Sequence, residues 1–191
     1  MEALIDILKK HWNYDGFRPQ QLAVIESILA GKDTLALLPT GAGKSICFQV
    51  PTIYQRGICI VISPLIALMQ DQVKDLVSKN LKAVLLGSHL NANEESNVFK
   101  EIEAKKYQFI YCSPEKLAQK HFQTLLSGLP IQLFAIDEAH CISQWGYDFR
   151  PSYRKLDFIK KTFPTIPILA MTASAIPLVQ KDMLVQLGVQ D

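Results

Sequence analysis

The sequence predicts an α/β domain, a mostly parallel sheet with helices on both faces, and three observations carry that reading. Short apolar runs such as Ile58 to Ile62 lack polar alternation, which suits strands buried on both faces. Stretches of helical period, about ten to fifteen residues long, separate those runs in the manner of βαβ units. A glycine-rich turn, residues 39 to 43, joins one apolar run to the next helical one.

The elements follow in order. Ala3 to Trp12 places Leu4, Ile5, Ile7, Leu8 and Trp12 on a short amphipathic helix, which Asn13 to Gly16 break. Pro19 sits in the first turn of a second helix, with Leu22, Ile25, Ile28 and Leu29 facing inward to about Ala30. Leu35 to Leu38 reads as the end of a buried strand, and a helix is expected from Lys44 and Ser45 through Ile46, Phe48 and Val50. After the strand at Ile58 to Ile62, Pro64 interrupts and Leu65 to Lys79 is helical by period. Ala83 to Leu86 is a strand, a polar loop runs through Asn93, Glu94 to Lys105 is a helix and Phe109 to Cys112 a strand. Glu115 to Leu126 is a helix, Leu133 to Ile136 a strand ending at Asp137, and Tyr153 to Phe163 a helix. Ile168 to Met171 is the last strand, and the residues after Pro177 read as a plain packing helix to Leu187. No internal repeat, low-complexity stretch or linker divides the chain, so residues 1–191 are expected to form one domain.

Composition bounds the classes. With 191 residues, 49% hydrophobic and 20% charged, the chain can bury a sizeable core and reads as globular rather than disordered. No apolar run reaches the roughly 18 residues of a membrane span. MEALIDILKKHW carries acidic residues too early for a secretory signal. A cytosolic protein with no membrane partner is expected. Cys47, Cys59, Cys112 and Cys141 stand apart, with no CxxC pair and no cluster with His, so they are expected to be reduced and mostly buried rather than zinc ligands. A net charge of +2 does not by itself argue for nucleic acid; any such surface must be a local patch.

Two motifs carry chemistry. Between a strand and a helix N-terminus, Thr40, Gly41, Ala42 and Gly43 point backbone N–H groups at one spot, at the positive end of the helix dipole, which suits phosphate. Lys44 can reach the β- and γ-phosphates, and the Ser45 hydroxyl can ligate magnesium. Leu38 stands where the strict GxxxxGK[ST] pattern has Gly. The second motif, Asp137-Glu138, directly follows an apolar strand. In an open parallel sheet, ligands collect outside the carboxyl ends of the strands, so topology should bring the two motifs together. Asp137 is the candidate magnesium ligand, and Glu138 the candidate base for the attacking water. His140 is a candidate coupling residue beside them.

These residues resemble the RecQ family of DNA helicases, within superfamily 2, with motifs in the family's order from Tyr14 to Ala175. FRPQQ resembles its adenine-reading motif and PTGAGKS its phosphate loop, while SPLIALMQDQV, YCSPEKL and MTASA resemble three further helicase motifs. The stretch at residues 137–153, DEAHCISQWGYDFRPSY, resembles the family's aromatic-rich loop. The resemblance implies a RecA-like P-loop NTPase fold, ATP and Mg2+ as cofactors, no zinc in this chain, and DNA as partner. It places the adenine-reading motif within the N-terminal helices, residues 1–32. There Gln21 reads N6 and N7 of adenine through its amide, Arg18 lies near the nucleotide and Tyr14 stacks on the base. Trp145, Tyr147 and Phe149 would stack bases beside Arg150. Ser63, Pro64 and Gln70 would touch the strand through N–H and hydroxyl groups. Thr172 and Ser174 would link hydrolysis to strand movement.

The resemblance further implies an ATP-driven 3′-to-5′ helicase of DNA repair and recombination, nucleoid-associated in a bacterium or nuclear in a eukaryote. Residues 1–191 would be the first of two lobes, with the second lobe, a zinc-binding part and a winged-helix part outside this sequence. A lobe on its own is expected to bind ATP weakly, hydrolyse it poorly and not unwind DNA. Two other readings stand beside this one: an RNA-directed superfamily 2 ATPase, and a nucleotide-dependent interaction module that never turns over.

Overall fold

A computed structural model of the chain describes residues 1–146 and 148–189; Tyr147, one of the three expected stacking aromatics, lies outside the described residues. Among the described residues the strands are β1 (Thr34–Leu37), β2 (Ile58–Ile62), β3 (Ala83–Leu86), β4 (Phe109–Cys112), β5 (Ile131–Ile136) and β6 (Ile168–Thr172). They form one sheet in the order β1-β6-β5-β2-β4-β3, with each neighbouring pair parallel. The period of two along each strand divides the core between the two faces. Ile58, Ile60 and Ile62 of β2 face one side with Ile110, Phe134 and Ile136. Cys59 and Val61 face the other with Phe109, Tyr111, Leu133 and Met171. Every residue of β2 is buried, as its unbroken apolar run requires.

The helices are α1 (Glu2–Trp12), α2 (Pro19–Leu29), α3 (Ile46–Gln55), α4 (Ile66–Ser78), α5 (Ala92–Glu103), α6 (Pro114–Leu117), α7 (Lys120–Ser127), α8 (Phe158–Thr162) and α9 (Pro177–Leu187). Leu4 and Leu8 of α1 pack on Ile25 of α2 and on Ile46 and Val50 of α3, which sets the turn carrying Tyr14 beside the phosphate loop.

Three elements depart from the sequence reading. The loop expected through Asn93 ends at Asn91, and Ala92 and Asn93 already belong to α5, because the Asn91 side chain accepts from the N–H groups of Asn93 and Glu94 while the Glu94 side chain accepts from the Asn91 N–H. The helix expected over Glu115 to Leu126 is two, α6 and α7. The helix expected over Tyr153 to Phe163 begins as a 3-10 segment, Pro151–Asp157, before α8. The 3-10 repeat aligns residues three apart, and Tyr153 and Leu156 are both buried. The Tyr153 hydroxyl donates to the Asp137 carbonyl at 3.2 Å, so this segment buttresses the second motif.

Candidate functional site

The strand order decides which loops meet. In a parallel sheet all carboxyl ends share one edge, and β6 lies between β1 and β5. The loop after β1, the Asp-Glu pair after β5 and Thr172 at the end of β6 therefore converge. The Leu38 N–H donates to the Thr172 carbonyl at 3.0 Å, which ties the exit of β1 to that of β6.

Gly41 and Gly43 have φ of 81° and 74°, left-handed values that a glycine adopts without Cβ strain. Among the described residues, the N–H groups of Gly41, Gly43, Lys44 and Ser45 pair with no backbone carbonyl, and they stand at the N-terminus of α3. That arrangement suits an anion. The carbonyls of the same loop are held from below. Arg18 Nη1 donates to the Gly41 carbonyl at 2.8 Å, and Gln21 Nε2 to those of Ala42 and Gly43 at 2.9 and 3.1 Å. Gln21 Oε1 accepts from the Arg18 N–H at 2.9 Å. Gln21 is thus a buried residue whose amide holds the loop at Ala42 and Gly43, rather than an exposed helix residue. Thr40 and Tyr14 are exposed, and Tyr14, Arg18, Gln21, Gly41, Gly43 and Ser45 line a cleft of about 810 Å³. That volume accommodates a nucleotide-sized ligand.

Lys44 Nζ lies 3.6 Å from Asp137 Oδ1 and 3.4 Å from Glu138 Oε1. Asp137 is buried; its N–H donates to the Ile62 carbonyl of β2 at 2.8 Å, and its Oδ1 accepts from the Glu138 N–H at 3.0 Å. Burial pushes the Asp137 carboxyl above the ordinary carboxylate range, Lys44 pulls it down and Glu138 adds to the rise. Glu138 has φ 50° and ψ 43°, a left-handed conformation that disfavours a side chain and turns its carboxylate back towards Lys44. The donor set of a carboxylate and a hydroxyl, Asp137 and Ser45, is hard oxygen and fits magnesium together with phosphate and water.

His140 continues the chain of contacts. Its Nδ1 lies 2.8 Å from Thr172 Oγ1 and 3.4 Å from Glu138 Oε2. The Thr172 hydroxyl also donates to the Ser174 carbonyl at 3.3 Å, which places it between His140 and the residues after β6. Beyond His140, Cys141 donates its thiol proton to Asp148 Oδ2 at 3.6 Å, and burial, with Asp148 adding to it, pushes that thiol up to about 12.

The aromatic-rich stretch presents Trp145, 61% exposed. Phe149 is half-buried, with the Arg154 guanidinium 5.1 Å from its ring centre, so that one face of the ring is covered. Arg150 Nη2 lies 3.7 Å from Asp148, and its N–H donates to the Cys141 carbonyl. Ser63 departs from the expected strand-contacting role. It is buried, its N–H pairs with the Cys112 carbonyl, and its hydroxyl accepts from the Leu65 N–H at 3.4 Å, so both groups face inward and shape the turn into α4. Pro64 and Gln70 are half-buried on either side of the exposed Leu65, Ile66 and Leu68.

Sequence reasoning missed Arg154, Ser143 and Asp182. The Ser143 hydroxyl donates to Asp182 Oδ2 at 2.6 Å, which corrects the reading of α9 as plain packing. The available signal was an acidic residue flanking the buried stripe of Val179, Met183 and Leu187.

Comparison with known proteins agrees with this geometry. Residues 18–182 match the family described as DEAD/DEAH box helicase. The chain is 46% identical over 176 residues to "Probable ATP-dependent DNA helicase RecS" of Bacillus subtilis, covering 92% of this chain and 35% of that protein. It is 41% identical over 189 residues to the ATP-dependent DNA helicase RecQ of Pasteurella multocida, covering 99% of this chain and 30% of that one. The chain therefore spans about a third of the length of these relatives. In fold it resembles the DUF1998 helicase MrfA bound to DNA, with a TM-score of 0.76 at 16% identity over 99% of this chain and 28% of that one. Among the described residues no helix is long and apolar enough to cross a membrane.

Proposed function

Because this chain belongs to the DEAD/DEAH box helicase family, we propose that it is the ATP-binding lobe of a RecQ-like DNA helicase, which couples ATP hydrolysis to movement along single-stranded DNA. The observation that carries the reading is Lys44 beside Asp137 and Glu138, although Glu138 lies 94 residues away in sequence.

In this reading the N–H groups of Gly41, Gly43, Lys44 and Ser45 bind phosphate oxygens, and Tyr14 stacks on the adenine. Lys44 exchanges its two carboxylate partners for the β- and γ-phosphates. Asp137 and Ser45 would hold magnesium, which would neutralise phosphate charge when bound. Glu138, freed from Lys44, orients a water and takes its proton as the water oxygen bonds to the γ-phosphorus. The bond from that phosphorus to the bridging oxygen breaks, and ADP and phosphate leave. His140, through Thr172 and Ser174, relates the position of Glu138 to the end of β6. Trp145, with Arg150 and Phe149 behind it, contacts the strand. A second lobe of the same protein completes the site around the phosphates, as the share of the relatives left uncovered supports.

The test is magnesium-dependent ATP hydrolysis by the protein at its full natural length, with single-stranded DNA, with single-stranded RNA and with neither. DNA should stimulate it most. Glu138→Gln should still bind ATP while hydrolysis falls by about 10²- to 10⁴-fold. Equal stimulation by RNA would move the reading to an RNA-directed ATPase, and binding without turnover would make the chain an interaction module.

A further inference from the structure

We propose that Asp182, on α9, is the positioning residue that seats the Trp145 turn against the hydrolytic site, so that contact of a strand with Trp145 is transmitted to Glu138. This rests on the roles proposed above for Trp145 and Glu138. It adds a residue outside every motif that the sequence singles out, 39 positions beyond the serine it holds.

The turn hangs from one buried hydroxyl. Ser143 is fully buried directly after the 3-10 segment Ala139–Ile142, which begins next to Glu138. Its Oγ donates to Asp182 Oδ2 at 2.6 Å and accepts from the Trp145 N–H at 3.2 Å. A carboxylate only accepts, so it fixes the direction of the hydroxyl proton and leaves the oxygen lone pairs for Trp145. A hydrogen bond to a carboxylate is also among the stronger ones available to a hydroxyl. Asp182 is itself oriented, because its Oδ1 accepts from Gln186 Nε2 at 3.3 Å one helical turn on.

The turn has little slack. The Ser143 N–H donates to the His140 carbonyl, and the Gly146 N–H to that of Ser143. A Cβ on Gly146 would stand 2.9 Å from the His140 carbonyl oxygen. While Asp182 holds Ser143 in place, a shift of Trp145 is therefore passed to the backbone at His140, next to Glu138.

Two tethers join this turn to the same neighbouring segment. His140 bonds Thr172 at the end of β6, and Ser143 bonds Asp182 in the α9 that follows. With both in place, displacement of Trp145 pivots the turn and is delivered at His140. With the Asp182 tether gone, the turn yields at Ser143 and the displacement is lost before it reaches His140. Asp182 acts on coupling and not on the chemistry of the phosphates.

The experiment uses the full-length protein and Asp182→Ala, Asp182→Asn, Ser143→Ala and Trp145→Ala. It measures ATP hydrolysis without DNA, hydrolysis at saturating single-stranded DNA, DNA affinity by anisotropy, and thermal stability. Asp182→Ala and Ser143→Ala should lower the stimulation by DNA by about 5- to 150-fold, the range of ordinary coupling between sites. Hydrolysis without DNA and DNA affinity should stay within about twofold of the parent. Asp182→Asn keeps an acceptor and should recover part of the stimulation. Full stimulation in Asp182→Ala, where Trp145→Ala has lost it, overturns the proposal. A parallel fall of basal hydrolysis and melting temperature in Asp182→Ala also overturns it, since that marks a residue of the fold alone. A parent protein that DNA does not stimulate, or that Trp145→Ala leaves unchanged, overturns the underlying function, and the proposal falls with it.

Discussion

Replacing Lys44 with alanine removes a cation from between two carboxylates, and the consequence for folding can be worked from the geometry. Its Nζ stands 3.6 Å from Asp137 and 3.4 Å from Glu138, with the three side chains 17%, 9% and 22% exposed. At an effective dielectric of about 20, each contact is worth roughly 4 to 5 kcal/mol before desolvation. Desolvation cancels most of that, and breaking a buried pair leaves a net loss of about 3 to 5 kcal/mol. Lys44 and Glu138 keep part of their hydration, so a loss of about 2 kcal/mol is expected, which for this chain length lowers the melting temperature by about 4 to 8 °C. Thermal unfolding at neutral pH, with EDTA and without nucleotide, measures it. The cause is tested by adding Asp137→Asn, which removes the buried charge that needs Lys44. The double variant should be more stable than Lys44→Ala alone while remaining unable to hydrolyse ATP. If the double variant instead loses the sum of the two single losses, the groups act independently and the reasoning is wrong.

Further outcomes test other parts of the site. Gly43→Ala would place a Cβ 2.5 Å from Gln21 Nε2 on a residue with φ of +74°. Left-handed strain of about 1 to 2 kcal/mol and release of the Gln21 amide should weaken ATP binding by about tenfold or more; calorimetric titration showing unchanged affinity would refute this. The thiols of Cys47, Cys59 and Cys141 are pushed up to about 12 by burial, from an ordinary value of 9.0. Between those values the folded chain keeps protons that the unfolded chain has lost. The stability these thiols provide is therefore complete below pH 9 and is lost as pH rises towards 12. The slope is about 1.4 kcal/mol per pH unit for each thiol, or about 4 kcal/mol for the three. Urea midpoints measured from pH 8 to pH 10.5 should fall steeply above pH 9, and a flat series would contradict the burial.

The readability of the sequence followed the range of the forces involved. The phosphate loop was legible because its signals are local: two residues that need left-handed backbone, then a lysine, then a helix start. Asp137 and Glu138 were legible through the apolar strand that ends at them, and their meeting with Lys44 through the parallel sheet that βαβ spacing implies. Position without partner is where the reading stopped. Gln21 was found, yet nothing in FRPQQ says that its amide binds the Ala42 and Gly43 carbonyls. Ser63 was found, but its inward turn depends on pairing with Cys112 of the neighbouring strand. Trp145 and Phe149 read alike in sequence, and only the packing of the 3-10 segment brings Arg154 over Phe149 while Trp145 stands clear.

The sheet also gives a reason why the proposed coupling would fall to β6 and α9. Lys44 follows β1 and Glu138 follows β5, and β6 runs between the two. Thr172 therefore serves both sides at once: its carbonyl accepts from Leu38 at the exit of β1, and its hydroxyl meets His140 after β5. In the proposed coupling a shift of the carboxylate loop would reach Thr172, to which the loop after β1 is also bonded. The chain then leaves β6 for α9, whose Asp182 reaches back to the turn that presents Trp145. The proposed strand contact, proton transfer and phosphate binding would thus be joined through one strand end and one helix, because a parallel sheet gathers its exits on a single edge.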